Sequence, residues 1–200
     1  MSTPVLLALA TGYLLGSIPF GLLLTRFSGR GDLRAIGSGN IGATNVLRTG
    51  SKGLAALTLL LDAAKGAAAV LIAQHYWPHA VNFAAAGALI GHLYPAWLRF
   101  KGGKGVATLL GIIAPLLPVA AIAYALIWVG LLLVLRISSA AGMAAAASAP
   151  LIAALVGASL LFPMFLAFAI LVIWKHRDNI RRLIDGTEPQ IGQSIEERAD

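Results

Sequence analysis

The sequence predicts an all-α integral membrane protein with seven transmembrane helices. Its N-terminus is expected outside, its C-terminus in the cytoplasm, and its polar motif loops on the cytoplasmic face. Three observations predict this. First, 58% of the 200 residues are hydrophobic and only 12% are charged, about half the ~25% typical of soluble domains. Mean hydropathy is +0.84, and a bilayer can solvate apolar surface that a soluble core of this size cannot hide. Second, the apolar runs are continuous and lack the period-two alternation of a membrane barrel. Third, Lys and Arg fall in a few short segments that one topology places on a single side.

Apolar runs lie near 4–25, 53–73, 80–98, 105–117, 118–135, 138–157 and 159–174. The opening "MSTPVLLALATGYLLG" has no basic flank and reads as a retained first span, not a cleaved signal. Between Gly53 and Leu98 the only charged residues are Asp62 and Lys65, and between Gly105 and Trp174 the only one is Arg136. A span needs ~20 residues, so 105–135 is either one tilted helix or two helices broken at Pro115 and Pro118. Charge decides between them. With two helices, 26–52, 99–104, Arg136 and 175–182 all face the cytoplasm, and the outer turns carry no Lys or Arg. Residues 1–192 are expected to form one polytopic membrane domain, with 193–200 a polar C-terminal tail. No internal repeat is evident. Cysteine is absent, which excludes disulfide and thiolate chemistry.

This topology brings three polar segments to one membrane surface: "GRGDLRAIGSGNIGATNVLRTGSKG" (29–53), "GHLYPAWLRFKGGKG" (91–105) and "KHRDNIRRLIDGTE" (175–188). They supply many donors: Arg34, Ser38, Asn40, Thr44, Asn45, Arg48, Lys52, His92, Lys101, Lys104, His176, Asn179 and Arg181, with few carboxylates to neutralise them. Such a surface suits phosphate. Gly37, Gly39 and Gly42 are expected to adopt positive φ and to bring backbone N–H groups close to an anion. "NIGATNVLR" has helix-start chemistry. Gly102, Gly103 and Gly105 flank Lys104 in the same style, again just before a helix.

Not every basic residue carries this meaning. Arg26, Arg99, Arg136 and Lys175 read as topology signals and headgroup contacts at helix ends. Arg48, Lys101 and Lys104 read as ligands, because glycines or a polar cluster surround them. Lys104 is not a nucleotide-binding lysine: Gly105 follows it, and no glycine stands five residues before it. His75 and His79 bracket Pro78 and have no accompanying Glu, so they read as an outer aqueous turn and not a metal site. Asp62 and Lys65, three apart on a helix, read as a neutralised intramembrane pair supporting the polar loops from beneath. An ion or proton path is the competing use.

The stretches "DLRAIGSGNIGATN" (32–45), "GHLYPAWLRFKGGKGVAT" (91–108) and "KHRDNIRRLIDGTE" (175–188) resemble the three cytoplasmic motifs of the bacterial acyl-phosphate:glycerol-3-phosphate acyltransferases, the PlsY family. "GSIPFG" (16–21) and "LDAAKG" (61–66) are also similar to stretches found there. The resemblance covers nearly the whole chain in order. It implies a seven-helix inner-membrane enzyme that moves a fatty acyl group from acyl phosphate to the 1-hydroxyl of sn-glycerol 3-phosphate. The products would be lysophosphatidic acid and phosphate, in phospholipid synthesis. It implies no metal and no cofactor. The partners would be the two substrates and membrane lipids, with no nucleic acid; the oligomeric state stays open, and a monomer is compatible. By position, Ser38, Thr44, Asn45, Arg48, His92, Lys104, His176 and Asn179 match motif residues of the family's substrate site, with Arg34, Asn40, Lys52, Lys101 and Glu188 nearby.

The chemistry this implies needs two anion pockets and no protein nucleophile, because acyl phosphate arrives activated. Lys104, backbone N–H groups of 102–105 and Ser38 are expected on one phosphate, and Arg48 with Thr44 and Asn45 on the other. Either His92 or a substrate phosphate takes the hydroxyl proton. Substrate assistance is favoured here, because no carboxylate stands at a recognisable spacing to orient His92. The H-x₄-D pattern is missing too: Trp97 and Arg181 occupy the Asp positions after His92 and His176. A transporter or flippase for a phosphorylated molecule is the alternative, although its site would be expected near the midplane.

Overall fold

The computed structural model describes residues 2–192; the expected tail at 193–200 lies outside the described residues. The described chain is all-helical, with no strand among its residues. Its described residues divide within one helix into two compact units, the first ending at Ala121 and the second starting at Ile122.

The first unit opens with α1 (Thr3–Gly16) and α2 (Phe20–Phe27). The apolar run 4–25, expected as one span, is thus interrupted at residues 17–19. Pro19 has no N–H to continue the α1 ladder, and its ring disfavours helical backbone at Ile18. A 3₁₀ turn (Leu33–Ala35) and the short α3 (Ala43–Leu47) follow. The 25-residue α4 (Lys52–Tyr76) starts where the Ser51 hydroxyl accepts the Leu54 N–H at 3.3 Å. Then come α5 (Val81–Leu93), α6 (Val106–Leu116) and the first residues of α7 (Pro118–Leu135). The run 105–135 is two helices, with Leu117 between them.

Small residues hold these helices together. A Cβ placed on Gly12 or Gly16 of α1 would strike the backbone of Ala84 or Ala88 on α5. One on Gly87 or Gly91 of α5 would strike that of Leu9 or Tyr13 on α1. Two glycine pairs at helical i,i+4 spacing therefore interlock backbone against backbone, the usual solution where lipid removes the hydrophobic drive between helices. Gly66 of α4 and Gly111 of α6 repeat the device against Thr108 and Ala63.

The second unit holds the rest of α7, α8 (Ser138–Leu155), α9 (Phe162–Lys175) and α10 (Arg177–Ile184), with α8 packed on α9. Among the described residues, four stretches are long and apolar enough to cross a membrane: Thr3–Phe27 (α1 and α2 with the break between them), Lys52–Tyr76, Pro118–Leu135 and Ser138–Leu155. Val106–Leu116 and Phe162–Lys175 are shorter apolar helices.

Candidate functional site

The first polar segment folds over a small core of its own. Leu33, Ile41 and Val46 are buried against Leu22 of α2 and Ala55 of α4. Backbone groups turned inward over such a core need partners, and Asn45 supplies them. Its buried amide Nδ2 donates to the carbonyls of Leu33 (3.0 Å), Ile36 (2.9 Å) and Asn40 (2.8 Å), and its Oδ1 accepts the Ser38 N–H at 3.3 Å. Asn45, expected on a substrate phosphate, is therefore the residue that shapes this loop.

Three expectations about its backbone change. Gly37 and Gly39 take left-handed φ of 54° and 67°, as expected, but Gly42 has φ −85° and caps α3. The N–H groups of Ser38 and Gly39 are used inside the loop, on Asn45 Oδ1 and on the Ile36 carbonyl at 3.0 Å. The five-residue α3 is also too short to present a helix-terminus field. With those two N–H groups taken up, side chains are what the loop turns outward. Ser38 and Arg48 are exposed, Asn40 and Thr44 partly so. Arg48 lies across the loop: a Cβ on Gly37 would come within 2.7 Å of its Nη1 and of Asn45 Oδ1. Arg34 instead turns to Asp32, with Nη2 2.6 Å from Oδ2. That guanidinium holds the exposed Asp32 carboxyl down at about 2. Lys52 is exposed at the first residue of α4.

The second polar segment doubles back on the end of α5. Arg99 and Phe100 take left-handed φ of 52° and 61°, a conformation that strains side-chain-bearing residues. The reversal is held by Phe100 N–H donating to Pro95 O at 3.0 Å and by the Trp97 indole donating to Ser17 O at 2.8 Å. It returns Gly102 and Gly103 to the last turn of α5, where helix carbonyls lack intrahelical donors. Gly102 N–H donates to Leu93 O at 3.2 Å and Gly103 N–H to His92 O at 3.0 Å. These two N–H groups, expected on substrate phosphate, cap a helix instead. The glycines are needed for close approach: a Cβ on Gly102 would strike the His92 carbonyl, and one on Gly103 the His92 Nε2 edge. Lys104 follows, half-buried, and Gly105 (φ 90°) starts α6; Lys101 is exposed.

Beneath this loop lies a relationship that sequence reasoning missed. His92, Asp62 and Lys65 are all buried, at 4%, 3% and 4% exposure. Lys65 Nζ is 2.6 Å from Asp62 Oδ1, and the same oxygen is 3.8 Å from His92 Nδ1. Lys65 also donates to Ile18 O at 2.8 Å, in the α1–α2 break, and lies 5.7 Å from the Phe20 ring centre. The pair was expected; its approach to His92 was not. A carboxylate thirty residues upstream has no short spacing to betray it.

In the second unit, Glu188 organises the third segment. Its Oε1 accepts from Asn179 Nδ2 (2.5 Å) and Ser139 Oγ (2.6 Å), and its Oε2 from Arg182 Nε (2.7 Å). Burial would raise this carboxyl, but the three donors outweigh it and hold it below its ordinary value. Ser139 and Arg182 were not anticipated as partners. His176, buried at the end of α9, places Nδ1 2.7 Å from the Val172 carbonyl. A carbonyl only accepts, so Nδ1 carries a proton in this contact. Arg181 is exposed beside Asp178, 3.9 Å away. His75, at the far end of α4, packs edge-on against Tyr76 at 4.5 Å.

The family model described as glycerol-3-phosphate acyltransferase matches residues 6–186. A protein of Mesorhizobium japonicum named glycerol-3-phosphate acyltransferase is 56% identical over 192 residues, covering 96% of this chain and 98% of its own. One of the same name from Brucella suis is 54% identical over 185 residues, covering 92% of each chain. Among solved structures, the crystal structure of PlsY, an integral membrane glycerol 3-phosphate acyltransferase, in its glycerol 3-phosphate form is similar at TM-score 0.89 and 38% identity. That match covers 94% of this chain and 96% of that one. The lysophosphatidic acid form gives 0.87 and 37%, covering 94% and 95%.

Proposed function

The chain belongs to the glycerol-3-phosphate acyltransferase family, and on that premise we propose that it transfers an acyl group from acyl phosphate to the 1-hydroxyl of sn-glycerol 3-phosphate. The products are lysophosphatidic acid and inorganic phosphate. The protein is a multi-pass membrane enzyme of the bacterial inner membrane, with seven spans, the N-terminus outside and all three motifs cytoplasmic. The family match runs from residue 6 to 186 and reaches into all three motifs.

The observation that carries this reading is the first loop, where Asn45 absorbs the inward backbone groups and leaves Ser38 and Arg48 exposed over Gly37. Arg48 binds a phosphate, with Thr44 and Asn40 beside it. Lys104 binds the other phosphate with Ser38, and stabilises the charge left on it as the acyl carbon–oxygen bond breaks. The 1-hydroxyl oxygen bonds to the acyl carbon, the bond from that carbon to the phosphate oxygen breaks, and the hydroxyl proton passes to phosphate. No covalent intermediate is needed, because the mixed anhydride is already activated. His176 and Asn179 are the third motif's matched positions, and Glu188 fixes the Asn179 amide.

Purified protein in detergent, given acyl phosphate and glycerol 3-phosphate, is expected to release phosphate and lysophosphatidic acid in equal amounts. Turnover without a sealed membrane separates an enzyme from a transporter. Absence of both products from folded protein would overturn the reading.

A further inference from the structure

We propose that Asp62, clamped by Lys65, is a positioning residue for His92: it selects the imidazole tautomer protonated on Nδ1 and so turns the Nε2 lone pair toward the glycine loop 102–105. The inference rests on the acyltransferase reading only for its effect on turnover.

The carboxylate is fixed before it meets the ring. Lys65 Nζ holds Asp62 Oδ1 at 2.6 Å, and Lys65 is itself tied to the Ile18 carbonyl at 2.8 Å and to the Phe20 ring. His92 Nδ1 stands 3.8 Å from that oxygen. This exceeds a direct hydrogen bond, but all three groups are buried, and charge acts over such a distance with little screening. An Nδ1–H dipole pointing at the carboxylate is stabilised there, whereas a lone pair on Nδ1 would be repelled. Lys65 has a second effect. By compensating the Asp62 charge it removes the demand for an imidazolium, so the ring stays neutral and Nε2 stays an acceptor.

The opposite edge of the ring gives the arrangement its use. Nε2 lies where a Cβ on Gly103 would go, and the His92 carbonyl accepts the Gly103 N–H at 3.0 Å. His92 therefore grips the glycine loop by both its backbone and its ring, and the next residue is Lys104. A continuous chain of contacts runs from the α1–α2 break through Lys65, Asp62 and His92 to the loop that presents Lys104. This arrangement makes Asp62 act through His92, in the way a carboxylate fixes the tautomer of a histidine it faces.

The test uses the full-length protein in detergent with ¹⁵N-labelled histidine. The chain has four histidines, and loss of one signal set in His92→Gln identifies the ring. The expected wild-type spectrum shows His92 neutral and protonated on Nδ1; a neutral Nε2–H ring or an imidazolium would overturn the proposal. In Asp62→Asn/Lys65→Met, which removes both buried charges together, the Nδ1–H preference is expected to fall. The variant's kcat is expected to drop about tenfold or more, with KM for glycerol 3-phosphate within about threefold. Wild-type kcat in that variant would equally overturn the proposal. Should the double variant not fold, the wild-type tautomer decides the matter alone. Should the wild-type protein show no acyltransferase turnover, the function reading fails, and the tautomer still judges this one.

Discussion

Asn179 and Glu188 are joined by a short side-chain hydrogen bond within the third motif, 2.5 Å from amide nitrogen to carboxylate oxygen. They lie nine residues apart, on α10 and just beyond it. An amide held this firmly has one orientation, with its remaining N–H aimed by the carboxylate and not by solvent. Ser139 and Arg182 complete the grip on the same carboxylate.

Glu188→Gln is therefore expected to lower thermal stability by about 1–3 kcal/mol, since it weakens three charge-assisted donors at once. The effect has a defined pH dependence. The folded Glu188 carboxyl sits below its ordinary 4.5, so its stabilisation is fully present above that value. It is lost as pH falls through the lowered one. The Tm gap between wild type and Glu188→Gln should be widest near neutrality and narrow below about pH 4.5; unfolding scans across that range check this.

Asn45→Ala is expected to loosen the whole first loop, because three carbonyls lose one common donor. Limited proteolysis should show faster cleavage within 29–51, and kcat/KM should fall about 100-fold or more. Asn45→Asp keeps the acceptor for Ser38 N–H and loses the donors, so it should resemble Asn45→Ala.

The two arginines of the first motif should separate. Arg34 is paired with Asp32 on an exposed turn, so Arg34→Ala is expected to change kcat/KM by less than about fivefold. Arg48, folded over Gly37 beside exposed Ser38, is expected to cost about 100-fold or more as Arg48→Ala. Steady-state kinetics with varied glycerol 3-phosphate distinguish the two outcomes.

Gly103→Ala is expected to insert and fold but to lose about 100-fold in kcat, because its methyl occupies the space of His92 Nε2. Gly102→Ala meets backbone carbonyl instead of a ring, so it should also lower Tm. Lys104→Ala should abolish turnover with little change in Tm, as read by parallel activity and unfolding measurements.

Much of this molecule is legible from residue order. The apolar run 105–135 breaks before Pro118, as expected, to give the helix pair at Leu117, although Pro115 stays inside α6; the i,i+3 spacing gives the Asp62–Lys65 pair. The three motifs were legible as donor-rich segments. What each donor faces was not. Asn45 looks like any polar loop residue until the loop closes over Leu33 and Val46 and gives its amide inward carbonyls to satisfy. Gly102 and Gly103 signal close approach, but the sequence does not say whether to an anion or to the end of α5. Ser139 stands 49 residues from Glu188, and Asp62 reaches His92 from another helix. Each of these is set by helix packing, which short-range spacing does not encode.

The interlock of Gly12 and Gly16 with Gly87 and Gly91 has a mechanical meaning for the loop above it. Where helices meet through long side chains, rotamer changes let one creep along the other. Here carbonyl and Cα surfaces mesh directly, with no rotor between them, so the pair has a single axial setting. His92 follows Gly91 immediately in the chain. A bilayer that thickens or thins can tilt α1 and α5 as one rod but cannot slide them, so the height of His92 relative to the Ser17–Pro19 break is kept constant.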